Sequence, residues 1–321
     1  MIRKHRVVLM GTPEFAVPSL RRLARDPAYE LVMVVTQPDR PQGRMRKLTP
    51  SPVKRAALEY GIPVFQPGQV RATEALEHLR GFTPDVLVTA AYGQLLPQAL
   101  LDLAPHGSLN LHASLLPRWR GAAPIHRAIM AGDEETGVTL MKMVKALDAG
   151  PVLAARSAAI LPSDDVGTLH EKLAEVGAEL LQDVLPRYLA GEVTAVDQPD
   201  VGITYAERIQ REDEFIRWNV PAREVHNHIR GLSPWPGAVT LWNGQPLKVW
   251  ATSVVAVGPW PAAAPGSVAR TDDGGAVVRC RDGWLRLQTV QPSGKKRLAV
   301  DEWLRGVSVP DLKFAEVVTN E

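Results

Sequence analysis

An asparagine and a histidine two residues apart are the residues of this sequence best suited to chemistry. Asn110 and His112 follow Gly107-Ser108-Leu109, a run that is typical of the end of a short buried strand. Because side chains alternate along a strand, both point to one face, while Leu109 and Leu111 point to the other. A carboxamide N–H can face a developing oxyanion, and an imidazole can donate to the same oxygen or relay a proton.

A carboxylate follows in the segment Ala146-Leu147-Asp148-Ala149-Gly150. Taken alone, Asp148 is typical of a turn residue. Close to His112, it can orient the imidazole and help to accept a proton from an attacking amine. Open α/β sheets place their chemistry at the carboxyl ends of strands, so Asn110, His112 and Asp148 predict a catalytic cluster there. Which of the last two finally holds the proton stays open.

The pattern Asn-x-His-x-Ser-Leu-Leu-Pro over Asn110–Pro117, with the later aspartate, resembles the fingerprint of the folate-dependent formyltransferases. The resemblance implies 10-formyltetrahydrofolate as co-substrate, no metal, and catalytic roles for Asn110, His112 and Asp148. It also implies that folate contacts come from two segments, whose residues are Ala91, Tyr92, Gly93, Ser114, Leu115, Leu116 and Pro117. Small Ala90, Ala91 and Gly93 would let a flat ring approach the backbone.

A basic insert follows the second predicted strand, Leu31–Thr36. From Gln37 to Arg55 the positive residues are Arg40, Arg44, Arg46, Lys47, Lys54 and Arg55, against Asp39 alone. Four prolines and a glycine between Gln37 and Pro52 predict irregular structure. Composition favours a solvated surface loop, whereas the resemblance favours a tRNA-binding arm, because the tRNA-specific branch of the family has such an insert. The resemblance places the tRNA contact at Arg44, and we assign Arg40, Arg46 and Lys47 to the same surface.

The first half of the chain alternates predicted strands and helices, which indicates a Rossmann-like, doubly wound, mostly parallel sheet. Val7–Met10 is the first strand, and Thr12, Pro13 and Glu14 suit the start of a helix. Gly11 is the only glycine where a dinucleotide site needs three, so a nicotinamide enzyme is not expected. Residues 166–189 show the apolar period of a long amphipathic helix.

The second half differs in composition, because seven of the eight tryptophans lie beyond Gly202. Short β-rich runs between turns predict a smaller OB-like β-barrel. We therefore expect one domain over residues 1–189, a linker over 190–206 and a second domain over 207–321. The resemblance implies that the first domain is catalytic and that the second binds tRNA. Lys295 and Lys296 are its best basic patch.

Composition is that of a globular protein, with 45% hydrophobic and 22% charged residues and a net charge of +2. The single cysteine, Cys280, excludes an internal disulfide and any cysteine-based zinc site. No segment looks like a signal peptide or a membrane span, so we expect a cytoplasmic protein, and we predict a monomer.

The resemblance implies formyl transfer to the α-amino group of methionine on initiator methionyl-tRNA. The amine attacks directly, Asn110 and His112 stabilise the oxyanion, and Asp148 with His112 handles the proton. A sugar-nucleotide formyltransferase or a 10-formyltetrahydrofolate hydrolase would share the fold and the chemistry. A non-enzymatic RNA-binding protein would have no reason to keep the three catalytic residues together.

Overall fold

The computed structural model describes residues 3–42, 47–255, 258–260, 262–307 and 313–315. Two compact units are present. The first contains the chain up to Gly121 together with Glu135–Ala159 and His170–Ala206, and the second contains Ala122–Glu134, Ile160–Leu169 and the chain from Glu207 onward. The functional division into domains at residues 189 and 207 stays a prediction.

Strands and helices alternate through the first unit, and strands dominate the second. The strands are β1 (His5–Gly11), β2 (Tyr29–Val35), β3 (Arg40–Gln42), β4 (Lys47–Thr49), β5 (Val64–Phe65), β6 (Val86–Ala90), β7 (Ser108–His112), β8 (Arg120–Gly121), β9 (Glu135–Lys142), β10 (Val152–Ala159), β11 (Tyr205–Ala206), β12 (Ala238–Trp242), β13 (Gln245–Val255), β14 (Val268–Arg270), β15 (Ala276–Arg279), β16 (Trp284–Pro292), β17 (Leu298–Ala299) and β18 (Phe314–Ala315). The helices are α1 (Val17–Arg25), α2 (Pro52–Glu59), α3 (Thr73–Gly81), α4 (Gln98–Leu101), α5 (Pro124–Ala131), α6 (Val166–Leu189), α7 (Ala222–Arg230) and α8 (Val300–Leu304).

A seven-stranded sheet in the order β10-β9-β7-β6-β1-β2-β5 forms the centre of the first unit. The strands from β7 to β5 are parallel, and β9 and β10 extend the β7 edge in antiparallel pairing. Val7–Met10 of β1 is fully buried, as expected for a strand covered on both faces. The chain moves outward from β1 through β2 and β5, then returns to the other side at β6. This reversal is the kind of switch point that places ligand sites at strand carboxyl ends, and the predicted α/β class is confirmed.

The long helix α6 covers one face of this sheet, and its bounds match the prediction from periodicity. A Cβ on Gly177 of α6 would lie 3.4 Å from Val138 and 3.9 Å from Leu111, so the helix packs closely on β7 and β9. Leu111 is buried on that face, which leaves the opposite face of β7 to Asn110 and His112. No helix in the described part of the chain combines the length and the hydropathy needed to cross a bilayer.

The basic insert contains a short hairpin, so the prediction of irregular structure was wrong there. β3 pairs antiparallel with β4, and Pro41 lies opposite Leu48. A two-stranded hairpin has edges on both sides, where a proline that lacks an N–H costs no ladder bond. Residues 43–46, among them Arg44 and Arg46, lie outside the described residues.

An antiparallel sheet in the order β14-β15-β16-β13-β12-β18 forms the second unit, with β17 paired to β16. It curls, because a bridge between Ser267 and Lys313 joins its two edges. Trp218 is fully buried inside and stacks on Phe314 at 5.6 Å between ring centroids. The predicted smaller barrel is confirmed in this half-barrel form.

Candidate active site

The end of β7 holds the two polar side chains predicted to do chemistry. Asn110 is half-buried, and its Oδ1 lies 2.8 Å from Oγ1 of Thr89, its cross-strand neighbour on β6. The Thr89 hydroxyl is also 2.9 Å from the carbonyl oxygen of Leu109. Because Oδ1 is the end of the carboxamide that faces this hydroxyl, the amide nitrogen of Asn110 points away from it with its two N–H donors.

His112, the last residue of β7, is buried, with 6% of its surface exposed. Its Nε2 lies 2.8 Å from the backbone carbonyl of Trp119. A carbonyl only accepts hydrogen bonds, so Nε2 carries the proton in this pair and Nδ1 is the nitrogen that can exchange one. Nδ1 faces Asp148, whose Oδ2 is 3.6 Å away. This separation is longer than a hydrogen bond, and catalytic contacts of this kind tighten when substrate binds.

Asp148 reaches His112 from the loop between β9 and β10, over residues 143–151. Its side chain is 13% exposed, and its Oδ2 also accepts a hydrogen bond of 2.9 Å from the Gly121 amide. Trp119 and Gly121, which bond to the side chains of His112 and Asp148, belong to one short segment. That segment therefore sets the position of the imidazole through a carbonyl and of the carboxylate through an N–H.

Backbone strain accompanies this arrangement. Ala91, Trp119 and Asp148 adopt φ angles of +49°, +63° and +45°, in a region that residues other than glycine rarely adopt. Each such residue costs about 1–3 kcal/mol. Aspartate tolerates this conformation better than most residues, which suits Asp148. Strained residues of this kind persist where the surrounding structure holds them, and they concentrate at functional sites.

The turn after β7 contains the residues that the family resemblance links to folate. Ser114 is fully buried, and its Oγ donates to the carbonyl of Arg118 at 2.7 Å. The hydroxyl of Thr139 on β9 also stabilises this turn. It donates to the Ser114 carbonyl at 2.7 Å and accepts from the Leu116 amide at 3.1 Å. The Ser114 hydroxyl is thus engaged within the protein, while Leu115, Leu116 and Pro117 are half-buried.

The segment after β6 is the second one linked to folate. Ala91 and Gly93 are exposed, and Gly93 has a φ of +90°. Tyr92 instead lies in the core, where burial raises its pKa to about 12. Its carbonyl already accepts hydrogen bonds from Thr12 Oγ1 at 2.9 Å and Gln37 Nε2 at 3.3 Å. The open backbone here therefore belongs to Ala91 and Gly93 rather than to Tyr92.

The predicted basic residues fall into two groups. Arg40 and Lys47 are exposed on the hairpin of the first unit, and Lys295 and Lys296 are exposed after β16 in the second. Two other members of the basic run are neutralised. Lys54 pairs with Asp39 at 2.7 Å and holds that carboxyl's pKa below its usual value, and Arg55 pairs with Glu14 at 3.1 Å.

Sequence reasoning missed the residues that hold the site together. Thr89, Thr139 and Gln198 bond to Asn110, Ser114 and Asp148. Thr204 bonds to Trp119, and Arg120 bonds to Gln198. Strand alternation gave a signal for Thr89 and Thr139, which lie opposite Asn110 and His112 in the sheet. Nothing local marks Gln198 in its irregular segment. Within the described ranges, no cluster of His, Cys, Asp and Glu is suited to a metal ion.

Both parts of the chain match formyltransferase family models. The Formyl transferase model covers residues 4–185, and the model of the formyl transferase C-terminal domain covers residues 208–308. The chain is 49% identical over 305 residues to the methionyl-tRNA formyltransferase of Bacillus velezensis, covering 95% of each chain. It is 48% identical to that of Bacillus subtilis, again with 95% of each chain covered.

The chain belongs to the methionyl-tRNA formyltransferase family.

Two solved structures share the fold of this methionyl-tRNA formyltransferase family member. An N-formyltransferase from Helicobacter canadensis, in complex with folinic acid and dTDP-3-aminofucose, matches with a TM-score of 0.68 at 17% identity, covering 89% of this chain and 99% of its own. HypX from Aquifex aeolicus, in complex with tetrahydrofolic acid, matches with a TM-score of 0.63 at 17% identity, covering 96% of this chain and 50% of its own. At this level of identity the likeness concerns the fold alone.

Proposed function

We propose that this protein transfers the formyl group of 10-formyltetrahydrofolate to the α-amino group of methionine on initiator methionyl-tRNA. The observation that carries the proposal is the 3.6 Å approach of Asp148 Oδ2 to His112 Nδ1, at the end of the strand that also presents Asn110. The substrates come from the function of the relatives, which match this chain almost end to end. The reaction forms an N–C bond to the methionine amine, breaks the C–N10 bond of the folate, and moves one proton from the amine to the leaving nitrogen.

Asn110 stabilises the negative charge that develops on the formyl oxygen. Its Oδ1 is occupied by the Thr89 hydroxyl, so the amide N–H groups are the part of the side chain that can face an oxyanion. A neutral donor needs no proton transfer to act, and the sheet holds it in place before substrate arrives.

His112 and Asp148 manage the proton. The attacking amine needs a free lone pair, and a free α-amino group titrates near pH ~8, so part of the substrate is neutral at physiological pH. After attack the amine nitrogen must lose a proton. Because Nε2 donates to Trp119, Nδ1 is the position on His112 that takes it up, and the carboxylate of Asp148 then faces the resulting charge.

The residues present fit a folate. Ala91 and Gly93 expose backbone with little side-chain bulk, and Leu95 beside them is 85% exposed. A flat, partly polar ring needs this combination of backbone hydrogen bonds and apolar surface. Ser114–Pro117 would border the ring through backbone and half-buried side chains, since the Ser114 hydroxyl is engaged.

Transfer-RNA binding is assigned to basic surface on both units. Arg40 and Lys47 are exposed on the hairpin, and Lys295 and Lys296 are exposed on the half-barrel. Arg44 and Arg46 lie between Arg40 and Lys47 in the sequence. Contacts between such side chains and phosphates dominate nucleic-acid affinity. We further propose that the enzyme works in the cytoplasm as a monomer and without a metal.

The test compares the rates at which one formyl donor formylates different acceptors. The protein is incubated with 10-formyltetrahydrofolate and one of four acceptors: initiator methionyl-tRNA, glycinamide ribonucleotide, a 4-amino sugar nucleotide, or water alone. The proposal expects formylmethionine on the tRNA and at least about 100-fold lower rates with the others, because an acceptor of the wrong shape leaves polar groups of the site unpaired. Preferential formylation of the sugar, or folate hydrolysis without transfer, would overturn it.

A further inference from the structure

The segment from Val196 to Ala206 runs along the active-site residues of the first unit, and both of its valines are exposed. Val196 and Val201 are 66% and 84% exposed. Hydrogen bonds hold the segment instead. Val196 exchanges backbone bonds with Val152 at 2.7 and 2.9 Å, and Thr204 accepts from Trp119 N through its hydroxyl at 2.9 Å. Ala206 pairs with Gly121.

Gln198 lies in the middle of this segment and contacts the Asp148 loop directly. Its Nε2 donates to the carbonyls of Asp148 and Gly150, both at 2.8 Å. Its Oε1 accepts from Arg120 Nε at 3.0 Å and Nη2 at 2.7 Å. These four bonds use both donors and both acceptor sites of the amide. A reversed amide would set its oxygen against two carbonyls and its NH₂ against a guanidinium, so the partners determine its orientation.

The bonds of Gln198 connect the two sides of the His112–Asp148 pair. On one side its amide nitrogen donates hydrogen bonds to the backbone carbonyls of Asp148 and Gly150. On the other side it binds Arg120, which lies between Trp119 and Gly121 in the chain. The Trp119 carbonyl accepts a hydrogen bond from His112, and the Gly121 amide donates one to Asp148. Arg120 is 8% exposed, so this connection is sheltered from solvent. The loop and the segment that position the two catalytic groups are thereby joined through one side chain.

We propose that Gln198 is a positioning residue, which holds the Asp148 loop so that its carboxylate stays in reach of His112 Nδ1. The inference deepens the proposed formyl transfer and rests on it. The loop needs such a hold, because residues 144–147 are exposed and Asp148 itself has a strained φ of +45°. A misplacement of about 1 Å at a reacting group can cost about 100-fold in rate.

An isosteric substitution separates this role from a structural one. Gln198→Glu keeps the shape and strengthens the bond to Arg120 through charge. It also sets an oxygen without a proton against the carbonyls of Asp148 and Gly150, which releases the loop. We expect kcat to fall about 10- to 100-fold, with KM for folate and for tRNA within about twofold of wild type. Asp200→Asn, an exposed neighbour in the same segment, is the matched control and should behave as wild type.

Two further measurements make the result decisive. In an Asp148→Asn background, Gln198→Glu should cause no additional loss of kcat, because it acts through that carboxylate. Hydrogen exchange without substrate should rise in peptides covering residues 143–150 and stay unchanged in β6 and β7. The proposal would be overturned by any of four results: a wild-type kcat for Gln198→Glu, additive losses of kcat in the double variant, a raised KM with unchanged kcat, or faster hydrogen exchange throughout the first unit. If wild type transferred no formyl group, the proposed function would fail, while the exchange experiment would still report on the loop.

Discussion

The imidazole of His112 donates a hydrogen bond from Nε2–H to the carbonyl of Trp119, 2.8 Å away. This bond determines which nitrogen does chemistry. Nδ1 remains, and it faces Asp148 rather than solvent. The backbone of a residue with a strained φ of +63° thus selects the tautomer of the proposed catalytic histidine.

Asp148→Asn should abolish most of the activity without unfolding the protein. The new carboxamide oxygen can still accept from Gly121, so the loop keeps its backbone bond, but the group can neither take a proton nor offset a charge on His112. We expect single-turnover formyl transfer to slow by about 10²–10⁴-fold. Circular dichroism and the affinity for tRNA should match wild type, and full retained activity would remove Asp148 from the mechanism.

Thr89→Val should weaken catalysis through Asn110. Valine keeps the shape of threonine and removes the hydroxyl that engages Oδ1, so the carboxamide loses its defined orientation. Loss of one oxyanion donor typically costs about 10²–10³ in rate, and misorientation should approach the lower value. Steady-state kinetics of Thr89→Val, Asn110→Ala and the double variant test this. The double variant should be no slower than Asn110→Ala, and additive losses would contradict the assignment.

Replacing Arg40 and Lys47 with alanine should raise KM for tRNA and leave KM for folate unchanged. Each phosphate that a removed side chain had neutralised should reduce the slope of log affinity against log salt by about 0.7–0.9. Filter binding over a salt series measures this slope. Arg71→Ala, which removes an exposed arginine outside the basic insert, is the control. Unchanged slopes in the hairpin variants would assign the basic insert to solvent rather than to tRNA.

Acid should destabilise the second unit through buried histidines. Burial lowers the pKa of His228 from 6.5 to about 4, and that of His226 to about 4 as well. The unfolded chain then binds more protons than the folded one, so the stability that these groups contribute is present above about pH 6.5 and is lost as the pH falls toward about 4. Urea unfolding of wild type and His228→Gln at pH 7 and pH 5 should show a smaller acid-induced loss in the variant. An equal loss would contradict this cause.

Much of the scaffold followed from local patterns. Apolar runs located the buried strands, the period of residues 166–189 located α6, and the alternation of β7 set Asn110 and His112 on the face opposite Leu111. Such predictions succeed because a strand or helix buries the residues that repeat at its own period. The hairpin of the basic insert was missed, since its cross-strand bonds involve prolines and charged residues that show no strand period.

The sequence by itself determined the fold class, the family and the types of the groups that we propose for the chemistry. Only the tertiary structure decided how those groups are held: the Trp119 carbonyl on Nε2, the Gly121 amide on Asp148, and the bond from Gln198 to a carbonyl 50 residues earlier in the chain. Single hydrogen bonds between distant segments leave no periodic trace in a sequence. Their partners become neighbours only after the sheet and its loops have formed.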